Sequence, residues 1–64
     1  MKIYIEPHKL TISGEESGLS RKLETITGGA TVRETEKGFT VAADPGTLYG
    51  IIYELSKDFD IDIV

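Results

Sequence analysis

The chain has 64 residues and a mass of 7.0 kDa, the size of one domain near the lower limit of independent folding. It contains no cysteine, which excludes a disulfide framework and a Cys-based zinc site. No apolar run approaches the roughly 20 residues that a membrane span needs. Seven basic and eleven acidic residues leave a net charge of −4 and a pI near 4.8. The cations, Lys2, Lys9, Arg21, Lys22, Arg33, Lys37 and Lys57, are scattered along the chain. They form no stripe of the kind that releases counterions from a phosphate backbone, so direct nucleic-acid binding is disfavoured. Docking on anionic lipid is disfavoured for the same reason.

Met1–Glu6 alternates, with Ile3 and Ile5 on one face and Lys2, Tyr4 and Glu6 on the other. That is the period of a half-buried strand, and no signal-peptide pattern precedes it. Residues 9–13 alternate again through Leu10 and Ile12, but with the opposite parity. Pro7 therefore marks either a bulge in one long edge strand or a tight turn between two short ones. Pro-His is a poor two-residue hairpin turn, which favours the bulge.

Residues 14–18 read as a loop. Leu19, Leu23 and Ile26 then fall on one face of a helix, with Ser17 as its N-cap, Glu15 and Glu16 near the positive end of its dipole, and Gly28-Gly29 ending it. Residues 30–36 form a strand with Val32 inward. Glu36-Lys37-Gly38 is a hairpin turn in which Gly38 supplies a positive φ, and residues 39–43 return with Phe39, Val41 and Ala43 on one face. Asp44 caps a second helix and Pro45 occupies its first position. Leu48, Ile51, Ile52, Leu55 and Phe59 give this helix a wide apolar stripe, and the internal Gly50 costs it roughly 1 kcal/mol against alanine. Residues 60–64 close the chain as a strand with Ile61 and Ile63 inward.

This order predicts a single α+β domain spanning residues 1–64. Its fold is ferredoxin-like, a split βαβ (βαββαβ) two-layer sandwich. A four-stranded antiparallel sheet in the order 4-1-3-2 carries both helices on one face. The open face of the sheet presents Lys2, Tyr4, Glu6, Thr31, Arg33, Thr35, Thr40, Ala42, Asp60 and Asp62. With Tyr4 the sole aromatic there, it lacks the base-stacking platform of an RNA-binding sheet.

Few residues carry chemistry. His8, the one histidine, sits beside Pro7 and Lys9 in an exposed turn. Asp58, Asp60 and Asp62 have the spacing of a calcium loop's start but lack its later glycine and glutamate. They read as acidic protection of an edge strand. There is no phosphate-binding loop, dinucleotide fingerprint or nucleophile elbow. Tyr49 and Tyr53 lie four residues apart at the edge of the second helix's apolar stripe, as core rim; exposed together, they would form a partner-binding anchor.

Val41-Ala42-Ala43-Asp44-Pro45-Gly46-Thr47-Leu48, the helix that follows through Leu55, and Asp60-Ile61-Asp62-Ile63 resemble one half of an ACT domain. In this chain Asp44 abuts Pro45 and the unit lies in the second half. The resemblance implies a small-molecule-sensing regulatory domain that acts as a homodimer, with Gly46 contacting the ligand. The residues themselves point first to a non-catalytic, cytoplasmic protein–protein interaction module without cofactor or metal. As a regulator, adaptor or inhibitor, it would use Tyr4, Arg33, Tyr49 and Tyr53 against a basic protein partner. A small phage or mobile-element inhibitor fits that profile.

Overall fold

The computed structural model describes residues 1–14, 17–28 and 30–64. Seven elements follow in chain order: β1 (Lys2–Glu6), β2 (Lys9–Ser13), α1 (Leu19–Ile26), β3 (Thr31–Thr35), β4 (Gly38–Ala42), α2 (Pro45–Ser56) and β5 (Asp62–Ile63). The five strands form one sheet in the order β3-β4-β2-β1-β5. The fold is α+β as expected, but strand count and strand order differ from the four-stranded ferredoxin-like layout.

The difference originates at Pro7. Residues 1–13 form a hairpin instead of one bulged strand, with Glu6 opposite Lys9, Ile5 opposite Leu10 and Ile3 opposite Ile12. A two-residue turn pairs residues of opposite parity, and that is the parity change seen in the sequence. Pro7 and His8 form this turn without a positive φ, so it is not one of the primed turns that hairpins favour. Burial outweighs the turn's own preference. The hairpin puts Ile3, Leu10 and Ile12 on one face, each almost fully buried, and the His8 carbonyl accepts a hydrogen bond from the Ala43 amide at 3.1 Å.

The extra strand reverses the chain before α1. β2 therefore runs antiparallel to β4, and β4 antiparallel to β3. The last strand, β5, then meets β1 in parallel, Lys2 beside Asp62 and Ile3 beside Ile63. In a four-stranded split βαβ sheet the corresponding edge pair is antiparallel.

Register fixes the two faces. Ile12, Ile3 and Phe39 share one cross-strand row, and Leu10, Val41, Ile5 and Val32 share the next. Leu19 and Leu23 of α1 and Leu48, Ile51 and Leu55 of α2 close over this face in one core. Both helices thus lie on the same side. Val32 is on the core-facing side but remains about one-third exposed, because β3 is the outer strand. β5 is shorter than residues 60–64: Ile61 packs against the core, while Ile63 is more than half exposed.

The helix ends follow local chemistry. α1 begins after Gly18, whose φ of 83° is left-handed and whose missing side chain leaves no cap hydrogen bond. Ser17 is therefore not the cap. Its expected companions Glu15 and Glu16, and Gly29 at the far end, lie outside the described residues. Gly28, at φ 43°, takes the left-handed turn that ends the helix. The buried Thr27 hydroxyl donates to the Leu23 carbonyl at 2.7 Å, so its burial leaves no unpaired donor. Lys22 of α1 pairs with Asp58, beyond α2, at 2.7 Å.

Asp44 caps α2 as expected. Its carboxylate accepts from the Thr47 amide at 3.0 Å and from the Thr47 hydroxyl at 2.7 Å. These bonds, the hydroxyl's first, hold its carboxyl below the usual aspartate pKa. A lowered folded-state pKa contributes stability above the unfolded pKa, and that contribution is lost as pH falls through the folded value. Asp44→Ala is therefore expected to lower the Tm at neutral pH. The gap to wild type should narrow as the pH falls from neutral through the acidic range, as the folded-state carboxyl takes up its proton. Thermal melts of both proteins across that range check it, and a pH-independent gap would remove the carboxylate from the account.

Candidate functional site

The sequence-predicted partner residues fall on two separate surfaces. Tyr4 and Arg33 lie on the open sheet face, in one cross-strand row that runs Tyr4-Thr11-Thr40-Arg33. Two strands separate them, about 14 Å at ordinary strand spacing, so they form no joint cluster. Tyr49 and Tyr53 lie on α2, in the helical layer on the other side of the sheet.

These two tyrosines are not core rim. Each is 64% exposed. At 100° per residue, Leu48, Ile51 and Leu55 define the buried side of α2, and Gly46, Gly50, Tyr53 and Lys57 lie within about 50° of the opposite direction. Tyr49 borders them. Sequence reading placed the tyrosines beside the core because Ile52 widened the apolar stripe; the half-buried Ile52 belongs to its margin. The helical wheel centred on Leu48, Ile51 and Leu55 alone carries the signal.

The outward side of α2 is a poor solvent face. Surface helices normally place Lys, Glu, Gln or Arg there. Here the middle of the helix offers glycine, tyrosine, glycine, tyrosine. A Cβ added at Gly50 meets nothing within 4 Å, so no intramolecular contact requires glycine. Gly50→Ala is accordingly expected to stabilise the monomer by about 0.5–1 kcal/mol. That is a Tm rise of about 2–8 °C for a chain of this size, read by thermal melting at high dilution. A fall in Tm would show that the helix needs glycine for its own fold.

Beside Tyr49 the surface dips into an apolar groove of about 280 Å³, lined by Ile5, Glu6, Pro7, Pro45, Leu48, Tyr49 and Ile52. The tip of the β1–β2 hairpin forms one wall and α2 the other. Sequence reading missed this groove, because it exists only once Pro7 turns the chain back. Lys57 sits over the Tyr53 ring, 4.8 Å from its centroid, and pairs with Glu54 at 3.4 Å.

A wider groove of about 620 Å³ separates the start of α1 from the β3–β4 hairpin. Its lining is mixed, with Arg21, Glu24, Glu34 and Glu36 beside Leu19 and Phe39. Gly46, the ligand contact implied by the ACT resemblance, lies in the first turn of α2 beside the Asp44 carboxylate and lines neither groove. His8 is in the exposed β1–β2 turn. Among the described residues no three His, Asp or Glu side chains gather as metal ligands, and no helix is long and apolar enough to cross a membrane.

Searches against family models, curated proteins and solved structures find no match to this chain.

Proposed function

We propose that the protein is a non-catalytic protein–protein interaction module that works through the outward side of α2. The observation that carries this reading is the joint exposure of Tyr49 and Tyr53 on the helix side opposite the core. Tyrosine is a favoured interface anchor, because its ring supplies a large rigid contact and its hydroxyl a hydrogen bond. The adjoining groove of Ile5, Pro7, Pro45, Leu48 and Ile52 continues the apolar surface and provides a recess for a partner's side chain. The open sheet face is the lesser candidate. Thr11 and Thr40 fill the middle of its central row, and Tyr4 there is 41% exposed.

A photo-crosslinking amino acid placed at position 53 tests the reading. In the protein's native cell it is expected to give one discrete adduct. The same probe at Thr25, exposed on α1, is expected to give none. Adducts at both positions, or at neither, would contradict a docking surface on α2.

A further inference from the structure

The sheet has two outer strands, β3 and β5. β5 is two residues long and offers little to pair with. β3 is five residues long, and all five are exposed. It is hydrogen-bonded to β4 alone, so its outer side carries the unpaired backbone donors and acceptors on which identical chains join their sheets. Val32 is 36% exposed on the core-facing side of this strand, beside a groove of about 410 Å³ between α1 and β3.

Two residues of β3 oppose such pairing. Glu34 lies opposite Phe39, in the core-facing row of Ile12 and Ile3. A charge thus stands where the apolar row would otherwise continue to the edge. Glu34 lines the groove together with Glu24 of α1, and among the described residues neither carboxylate has an ion-pair partner. A strand added beyond β3 would take water from both. Arg33 stands on the open face, opposite Thr40.

Symmetry turns these charges against a second copy. A two-fold axis that joins two β3 edges antiparallel stands perpendicular to the sheet, so residues of the same face meet. With the whole strand paired, the axis passes at Arg33. Arg33 then faces Arg33 of the second copy, and Val32 faces the second copy's Glu34. Like charges directly opposite each other destabilise a strand pair. Slipping the pairing by two residues shortens it. One slip sets Glu34 against Glu34; the other keeps Val32 on Val32 but leaves only residues 31–33 paired.

We propose that Arg33 and Glu34 close the β3 edge to a second copy of this chain and hold the protein as a monomer. The inference is independent of the reading of α2, and it gives Arg33 a role other than contact with a partner.

Sedimentation equilibrium of the full chain from about 10 µM to about 1 mM, a range that spans a weak interface, tests it. Wild type is expected to stay monomeric. Arg33→Thr with Glu34→Val leaves residues 31–35 alternating between threonine and valine, both good strand formers on exposed positions, so the fold is retained. This variant is expected to self-associate at least tenfold more tightly than wild type. Glu34→Thr alone, the milder change, is expected to move the same way. Adding Val32→Lys to the double variant returns a charge to the core-facing side of the strand and is expected to restore the monomer. A folded double variant that stays monomeric to about 1 mM would overturn the proposal. So would association that Val32→Lys leaves intact, or a wild-type dimer whose β3 amides are protected from hydrogen exchange.

Discussion

Gly38→Ala is expected to remove a large part of the protein's stability, about a third of it or more. Gly38 opens β4 at a φ of 155°, a conformation that residues with a Cβ rarely adopt. It pairs with Ser13 on one side and Thr35 on the other. A Cβ there would overlap the Ile12 carbonyl oxygen and stand 3.0 Å from its carbon. The obstacle is backbone, in the central strand β2, and Ile12 itself is buried beneath the helices. Relief requires moving β2 away from β4, or moving the β3–β4 turn, which the Gly14 amide ties by its bond to the Lys37 carbonyl at 2.8 Å. The cost is about 3 kcal/mol or more, from a total of about 3–10 kcal/mol for a chain this short. Gly14→Ala is the graded comparison: its φ of 144° is also unfavourable, but its new Cβ meets only Met1, at 3.4 Å. Urea unfolding should rank wild type, Gly14→Ala and Gly38→Ala in that order. A Gly38→Ala protein as stable as wild type would refute the close β2–β4 approach.

Leu10→Ala is expected to cost about 2–5 kcal/mol, the range for a fully buried leucine whose site collapses incompletely. Leu10 has no exposed surface, and its cross-strand neighbours are Ile5 and Val41. Val32 lies in the same row, and its alternation made it look equally buried. It sits on the outer strand, and Val32→Ala is expected to cost less than about 1 kcal/mol. Denaturation of the two variants side by side measures the difference. Equal losses would mean that β3 is covered and that the sheet does not end there.

The contrast between Leu10 and Val32 shows where sequence reading stops. Alternation gives the face of a residue and says nothing of its depth, which depends on strand order. The Asp44-Pro45 start of α2 and the Glu36-Lys37-Gly38 turn were legible because each has local chemistry: a cap, a fixed φ, a glycine; α1 was legible from the spacing of Leu19, Leu23 and Ile26, while its cap was not. The faces of the strands were legible from alternation. Pro7 was not, because a bulge and a hairpin produce the same change of parity; the choice is made by the burial of Leu10 and Ile12 against residues far along the chain. That one choice adds a strand, turns the β1–β5 pairing parallel and creates the groove beside Tyr49.

The proposed docking surface was half legible. Tyr49 and Tyr53 stood out as a pair, but their exposure depends on which residues of α2 the core takes up. The core takes Leu48, Ile51 and Leu55, centred away from the tyrosines. Gly46 and Gly50 were read separately, one as a ligand contact and one as a propensity cost. Their relation to the tyrosines appears once all four are seen on one side of the helix.

The outward side of α2 is the surface through which this protein is proposed to act. Backbone amide NMR spectra of the isotope-labelled protein, compared in buffer and inside its native cell, test it residue by residue. The expected result is shifts and line broadening confined to residues 44–57 and the groove residues Ile5 and Glu6. Shifts centred on Tyr4, Thr11, Thr40 and Arg33 of the open sheet face, with α2 unchanged, would contradict it.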